Sequence, residues 1–254
     1  MRARAVHKPK IPTETDTRPD ARRQVTMVQG TVGAFLALYV VITTGLATWL
    51  HFKEHGAINA FQIALAFFLP LNMLICIWEV GLGLNIERIK LEYKAQAKIW
   101  RGKEWSSIVD FFYTPLTLTQ LFTLKYWSRV WSTYSLYDPS YQNKESFGFF
   151  VDVSNGWSFF FPSGLFLYAM TYDIDALMSP RTLGCIGLVS FYVMLHGTCV
   201  YFLSFFLNER HKRFSALEVA LFIGGSNGLW FFFPLIGVRV CYELIQANSM
   251  TIVR

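Results

Sequence analysis

The feature that most constrains this chain is the spacing of its charges, which cluster and leave windows of about 20 nearly uncharged residues between them. A bilayer core offers backbone N–H and C=O groups no water. A run of that length must therefore fold as a helix that satisfies them internally. Composition agrees: 53% of residues are hydrophobic and 16% charged, against roughly 25% charged in an average soluble domain. The expected fold class is all-α, a polytopic integral membrane helix bundle. Five windows stand out, at about 30–50, 61–84, 147–170, 182–207 and 216–244. The length fits one membrane domain, over 30–246.

The flanks and loops set the topology. Residues 1–29 are polar, mixed in charge and interrupted by Pro9, Pro12 and Pro19, which reads as a disordered tail rather than a cleavable signal. Residues 247–254 form a C-terminal tail. In the 85–146 connection, Ile86, Ile89, Tyr93, Ala97 and Trp100 recur at helical steps with Lys90, Lys94, Lys98 and Arg101 between them. That pattern suits a basic amphipathic helix at the headgroups. Ile108–Leu124 is apolar but holds Asp110, Pro115 and Gln120, so it is either a sixth span or an interfacial segment.

Charge counting favours the second. Five crossings put 19 of the 23 Lys and Arg on one side and 3 on the other; a sixth crossing would reduce the split to 15 against 7. The positive-inside rule then places the N-terminus in the cytoplasm and the C-terminus outside or in the lumen. The expected location is the endoplasmic reticulum in a eukaryote or the inner membrane in a bacterium. The net charge of +6 is thus assigned to topology, with no nucleic-acid partner. Cys76, Cys185, Cys199 and Cys241 all fall within expected spans without a CxxC or a His/Cys cluster, and read as small packing residues.

Polar side chains inside these windows carry the functional reading, because ionisable groups at bilayer depth are costly and face the bundle interior. Ser226–Val240 (SNGLWFFFPLIGVRV) puts Asn227, Trp230 and Pro234 on one helical face. Glu79 follows Trp78, with Asn72 seven residues earlier on nearly the same face; its alternative role is a hydrogen bond holding two helices together. Asp152 shares a face with Asn155, or else is a solvated carboxylate at a helix start. His196 lies near Tyr192 and Cys199, or else is a buried neutral histidine. Arg239 and Glu243, four apart, read as an interfacial ion pair.

A carboxylic acid in apolar surroundings keeps its proton and serves as a general acid. Protonating an alkene needs such an acid beside a group that stabilises the carbocation, and a Trp face does so without offering a nucleophile. Glu79 or Asp152 with Trp230 would make that set. The sequence has no HxxHH, HExxH, GxSxG or phosphate-binding glycine loop. Glu79, Asp152 and His196 lie on three helices without paired spacing, so no metal is assigned.

Several of these segments resemble the emopamil-binding protein family, the EXPERA domain, whose enzymatic members are sterol Δ8-Δ7 isomerases. Asn227, Trp230 and Pro234 match the last helix of that family. His196-Gly197-Thr198-Cys199-Val200-Tyr201-Phe202 echoes its Tyr-Gly-x-x-Tyr-Phe segment. Trp131-Ser132-Thr133-Tyr134-Ser135 and Asp138-Pro139-Ser140-Tyr141 look like the elements before its third helix. Asp152 and Pro162 follow in order, with Asp where the isomerases have Glu. In Ile75-Cys76-Ile77-Trp78-Glu79 the family glutamate is present and Ile75 stands where the family has histidine. The resemblance covers about 61–244, apart from an apparent inserted interfacial segment at about 85–127.

The resemblance implies a proton-transfer pair of Glu79 and Asp152, a cation-stabilising Trp230, and Asn227 as its polar partner. Asn72, Trp78, Asn155 and Tyr192 complete the expected substrate-binding set. With Ile75 in place of histidine, either His196 substitutes from a neighbouring helix or the chemistry differs. A Trp-Glu pair without that histidine also looks like the membrane terpene cyclases of meroterpenoid pathways. Three functions follow: an isomerase shifting a double bond in a sterol-like lipid, a proton-initiated terpenoid cyclase, or a sterol- or lipid-binding protein without catalysis. None needs a cofactor. The expected partners are a sterol-like or isoprenoid molecule and the bilayer, with a homodimer left open.

Overall fold

The computed structural model describes residues 30–254; the expected tail over 1–29 lies outside the described residues. The chain is all-α: α1 (Val32–His55), α2 (Ala60–Leu84), α3 (Ile86–Trp100), α4 (Glu104–Tyr113), α5 (Leu118–Leu121), α6 (Leu124–Tyr134), α7 (Phe147–Thr171), α8 (Pro180–Leu207) and α9 (Ala216–Ala247). Local chemistry sets the boundaries of the long helices. Thr31, Asn59, Ser146 and Ser179 each accept a hydrogen bond from the backbone N–H three residues on, which satisfies a donor that the helix itself leaves free. α1 stops at Gly56, whose φ of 68° costs a glycine nothing.

Helices α1, α2, α8 and α9 are each long and apolar enough to cross a membrane. α7, with 25 residues, is as long as α2 but does not join them, since Asp152, Asn155 and several Gly and Ser interrupt its aromatic residues. Only Val32 and His51 of α1 are buried, and Leu38, Val41, Ile42 and Trp49 are exposed. A continuous apolar face of that size suits lipid rather than water.

Two close pairs, α2 with α7 and α8 with α9, form the frame. Glycines permit both approaches. A Cβ on Gly156 of α7 would lie 2.8 Å from Glu79 Cβ and from the Cys76 carbonyl oxygen, and one on Gly237 of α9 would lie 2.5 Å from the Phe191 ring. Ordinary carbon contacts are about 3.5–4.0 Å, so no larger residue fits at Gly156 without moving a helix, or at Gly237 without displacing the Phe191 ring. One apolar cluster, around Phe68, Phe166, Phe191 and Cys241, fills the half of the bundle beside the α1–α2 turn. The other, around Trp78, Trp127, Trp131, Tyr137 and Tyr201, fills the opposite half.

The 85–146 connection packs against the bundle. The apolar stripe of α3 is covered by protein: Ile86 and Ile89 are buried, Tyr93, Ala97 and Trp100 pack against the same core, and Gln96 Nε2 donates to Ser132 Oγ of α6 at 3.1 Å. Ile108–Leu124 forms no single helix. Pro115 begins a two-residue extended stretch that pairs antiparallel with Gly30–Thr31. The ten residues of α4 rise only about 15 Å, half a bilayer core.

Candidate functional site

A mostly apolar cavity of about 230 Å³ lies between α2, α7, α8 and α9, and α4 and α6 close it. Glu79 is five residues from the end of α2 and Asp152 five from the start of α7. Both carboxyls are therefore within about 7–8 Å of helix rise from the same end of the bundle. They face the cavity from neighbouring helices, with Asn155 beside them, and the Gly156 seam holds those helices together. Glu79 is buried and has no ion-pair partner among the described residues.

α9 supplies the opposite wall. Its first turns widen into a π-helical stretch at Val219–Gly224, which frees backbone carbonyls just before the polar residues. Ser226 Oγ donates to the Phe222 oxygen at 2.5 Å, and Asn227 Nδ2 to the Ile223 oxygen at 2.8 Å. Asn227 Nδ2 also donates to the Tyr134 hydroxyl at 2.7 Å, and that hydroxyl lies 3.0 Å from the hydroxyl of Tyr201. The Trp230 indole lines the cavity, while its Nε1 donates to Asn72 Oδ1 at 2.8 Å. Asn72 donates in turn to Ser163 Oγ at 3.0 Å. Asn72 thus braces the tryptophan from behind and does not line the cavity.

The aromatic roof is tied down separately. Trp131 Nε1 donates to the Trp78 carbonyl at 2.8 Å, and Trp78 stacks on Trp127 with ring centroids 4.9 Å apart. Asp138 is fully buried, accepts from Ser140 N at 2.9 Å and pairs with Arg210 at 3.0 Å, which fixes the turn carrying Tyr141. Burial raises the Tyr134 phenol above the usual tyrosine range, and burial together with the Asp152 charge raises Tyr141. Both remain neutral hydrogen-bonding phenols at physiological pH.

Of the residues singled out in the sequence, Trp78, Glu79, Asp152, Asn155, Asn227 and Trp230 line this one cavity. His196 and Tyr192 do not. They stack on each other at 5.7 Å on the outer face of α8, where both are exposed. The helical period explains this: Gly197, Thr198 and Tyr201 take the inner face, which leaves position 196 outside. His196 is thus neither a buried histidine nor a replacement at position 75, where Ile75 itself lines the cavity. Sequence reasoning assigned no role to Trp131, Tyr134, Tyr141, Thr198 or Tyr201, which all line it. The signal was present in the aromatic motifs at 131–141 and 197–202. Among the described residues no group of three His, Cys, Asp or Glu side chains is placed to hold a metal.

Comparison with protein-family models, with curated proteins and with solved structures gives no match for this chain.

Proposed function

We propose that the chain is a multi-pass membrane enzyme that moves a double bond in a sterol-like lipid by protonation and deprotonation. The observation that carries this reading is the pair of carboxyls, Glu79 and Asp152, facing one apolar, indole-lined cavity from two tightly packed helices. In this reading α7 is a fifth crossing, and the lipid reaches the cavity from the bilayer.

The reaction needs two proton transfers. One carboxyl gives its proton to an alkene carbon, leaving a carbocation at the neighbouring carbon. The other, as carboxylate, takes a proton from the adjacent carbon and the double bond re-forms one position along. Atoms and charge balance without a cofactor, and proton exchange between the two carboxyls resets the site. Glu79, the more deeply buried, is assigned as the acid and Asp152 as the base. The faces of Trp78, Trp131 and Trp230 stabilise the cation without trapping it, each contributing up to about 2 kcal/mol in a desolvated site.

A second reading is favoured by Ile75. With an aliphatic side chain where the resembling isomerases have histidine, the site suits a cation that travels further before losing its proton, as in a proton-initiated terpenoid cyclase. Both readings require Glu79→Gln to abolish turnover while ligand binding survives. The assay is incubation of membranes containing the chain with Δ8 sterols and with prenylated epoxides. Conversion of the sterols supports isomerisation, conversion of the epoxides supports cyclisation, and binding without conversion of either refutes both and leaves a lipid-binding protein.

A further inference from the structure

Away from the cavity, the end of the bundle that carries the α2–α3 and α8–α9 connections holds two polar clefts. One, of about 580 Å³, lies between Lys90 of α3, the Pro139–Ser146 turn and Asn208–Arg213. The other, of about 540 Å³, is lined by Lys98, Arg101, Glu104 and Arg213, with Tyr93 and Leu136. Arg213 belongs to both clefts.

The charges around them are unequal. Glu209 is held by Lys212 at 2.6 Å, and the Glu104 carboxylate accepts from Gly102 N at 3.0 Å. Arg210 is committed to buried Asp138 at 3.0 Å. Lys98, Arg101 and Arg213 are exposed and make no ion pair with the described residues. Three cations with no ion pair among the described residues thus converge on one cleft with one hydrogen-bonded carboxylate. On the outer face of the same α3, Leu91 and Ile99 are 69% and 68% exposed. Exposed apolar side chains among lysines suit the boundary between acyl chains and phosphates.

We propose that the clefts meeting at Arg213 bind the phosphate of an anionic phospholipid headgroup, with Arg213, Lys98 and Arg101 as its donors and Leu91 and Ile99 against the acyl chains. A guanidinium offers a phosphate two parallel N–H donors, which a lysine cannot, and of the two guanidiniums among these donors only Arg213 borders both clefts, so Arg213 is the discriminating residue. The position fits the sequence. This end carries the excess of Lys and Arg that orients a bundle toward the cytoplasm, whose leaflet holds the anionic lipids. The proposal is independent of the chemistry in the cavity.

The test uses the purified full chain in detergent, titrated with a short-chain phosphatidylinositol phosphate, with short-chain phosphatidylcholine and with inorganic phosphate, and read by thermal shift and lipid-bound mass. The inositol lipid is expected to bind saturably and phosphatidylcholine much more weakly. Each of Arg213→Gln, Lys98→Gln and Arg101→Gln should weaken binding about fivefold, and raised salt should weaken it further. Arg213→Lys should fall between Arg213→Gln and the unaltered chain. Lys53→Gln, at the other end of the bundle, should change nothing. Should Arg213→Gln fail to fold, the Lys98→Gln/Arg101→Gln pair gives the same reading from exposed positions. Equal affinity for phosphatidylcholine, or undiminished binding in these variants, would overturn the site. Inorganic phosphate binding as tightly as the lipid would overturn the assignment to a lipid.

Discussion

The Gly156 seam offers the most direct test of the architecture, because the two carboxyls are positioned through it. Gly156→Val adds a Cβ that starts 2.8 Å from Glu79 Cβ and the Cys76 carbonyl oxygen, and 2.9 Å from Val80 N. Two of these three atoms are backbone, so a side-chain rotation cannot relieve the clash and α7 must move away from α2. Restoring contacts of about 3.5 Å requires a shift of roughly 0.7 Å. Overpacking of this kind costs about 1–3 kcal/mol, with backbone contacts at the upper end. The gain in helix propensity from Gly to Val returns only about 0.3 kcal/mol. A net loss of about 2–3 kcal/mol lowers the melting temperature by roughly 4–12 °C. Gly45→Val is the matched control, since a Cβ there meets nothing within 4 Å and only the small propensity gain remains. Thermal unfolding in lipid nanodiscs reads both variants. A displacement near 1 Å also reduces a positioned proton transfer about a hundredfold, so if the proposed reaction holds, turnover should fall even in the folded fraction. Equal melting temperatures for the two variants would show that α2 and α7 are not in contact at this glycine, and the argument for paired carboxyls would fail with it.

Three further outcomes follow from the same geometry. His196→Ala should retain activity and ligand affinity, because His196 stacks on Tyr192 outside the bundle; a loss comparable to that in Glu79→Gln would place the histidine in the reaction. Asp138→Ala should destabilise the fold by about 1–3 kcal/mol, because Ser140 N loses its acceptor while Arg210, 22% exposed, can turn to water, and denaturation of the purified chain measures it. Stability should hold up to about pH 10 and then fall, because the folded chain keeps the Tyr134 and Tyr141 protons that the unfolded chain releases above that pH. Each retained proton contributes a slope of about 1.4 kcal/mol per pH unit, and phenolate absorbance that rises in step with unfolding checks it.

Helix positions were legible because bilayer-length apolar runs and their caps are local features. The window expected at 216–244 corresponds to Ala216–Ala247, and the one at 61–84 to Ala60–Leu84. The alignment of Asn227 with Trp230 was legible for the same reason. What could not be read was long-range. α3 shows the same amphipathic stripe whether lipid or α6 covers it, and only the packing of Trp127, Trp131 and Ser132 decides. Nor does hydropathy show that Ile108, Phe111 and Phe112, within the 85–127 segment, wall the cavity. His196 was attractive by residue type, but its neighbours Gly197 and Thr198 already occupy the inward positions. The π-helical widening at Val219–Gly224 leaves no mark in hydropathy, although it sets where Asn227 falls.

The hydrogen bonds also alter what the polar stripe of α9 is for. An amide and an indole N–H inside a membrane helix invite the idea that they wait for a ligand. Here they are engaged: Trp230 Nε1 by Asn72, and Asn227 by Tyr134 and the Ile223 carbonyl. Their polar atoms therefore orient the wall, and in the proposed reading a ligand would meet the face of the Trp230 ring. The Tyr141 hydroxyl lies against Asp152 and the Cys76 thiol against Glu79, but neither carboxyl has an ion-pair partner among the described residues, which leaves both with oxygens to offer a guest. A molecule held in such a site is selected by apolar shape and by one place that accepts a proton. Added hydroxyls would find few free partners deep in the cavity, and each unpaired one would cost about 1–3 kcal/mol. If the proposed lipid reading holds, the site discriminates against polar lipids by what its own residues already bind, and Asn72→Leu, which frees the Trp230 N–H, should relax that discrimination before it touches the proposed chemistry.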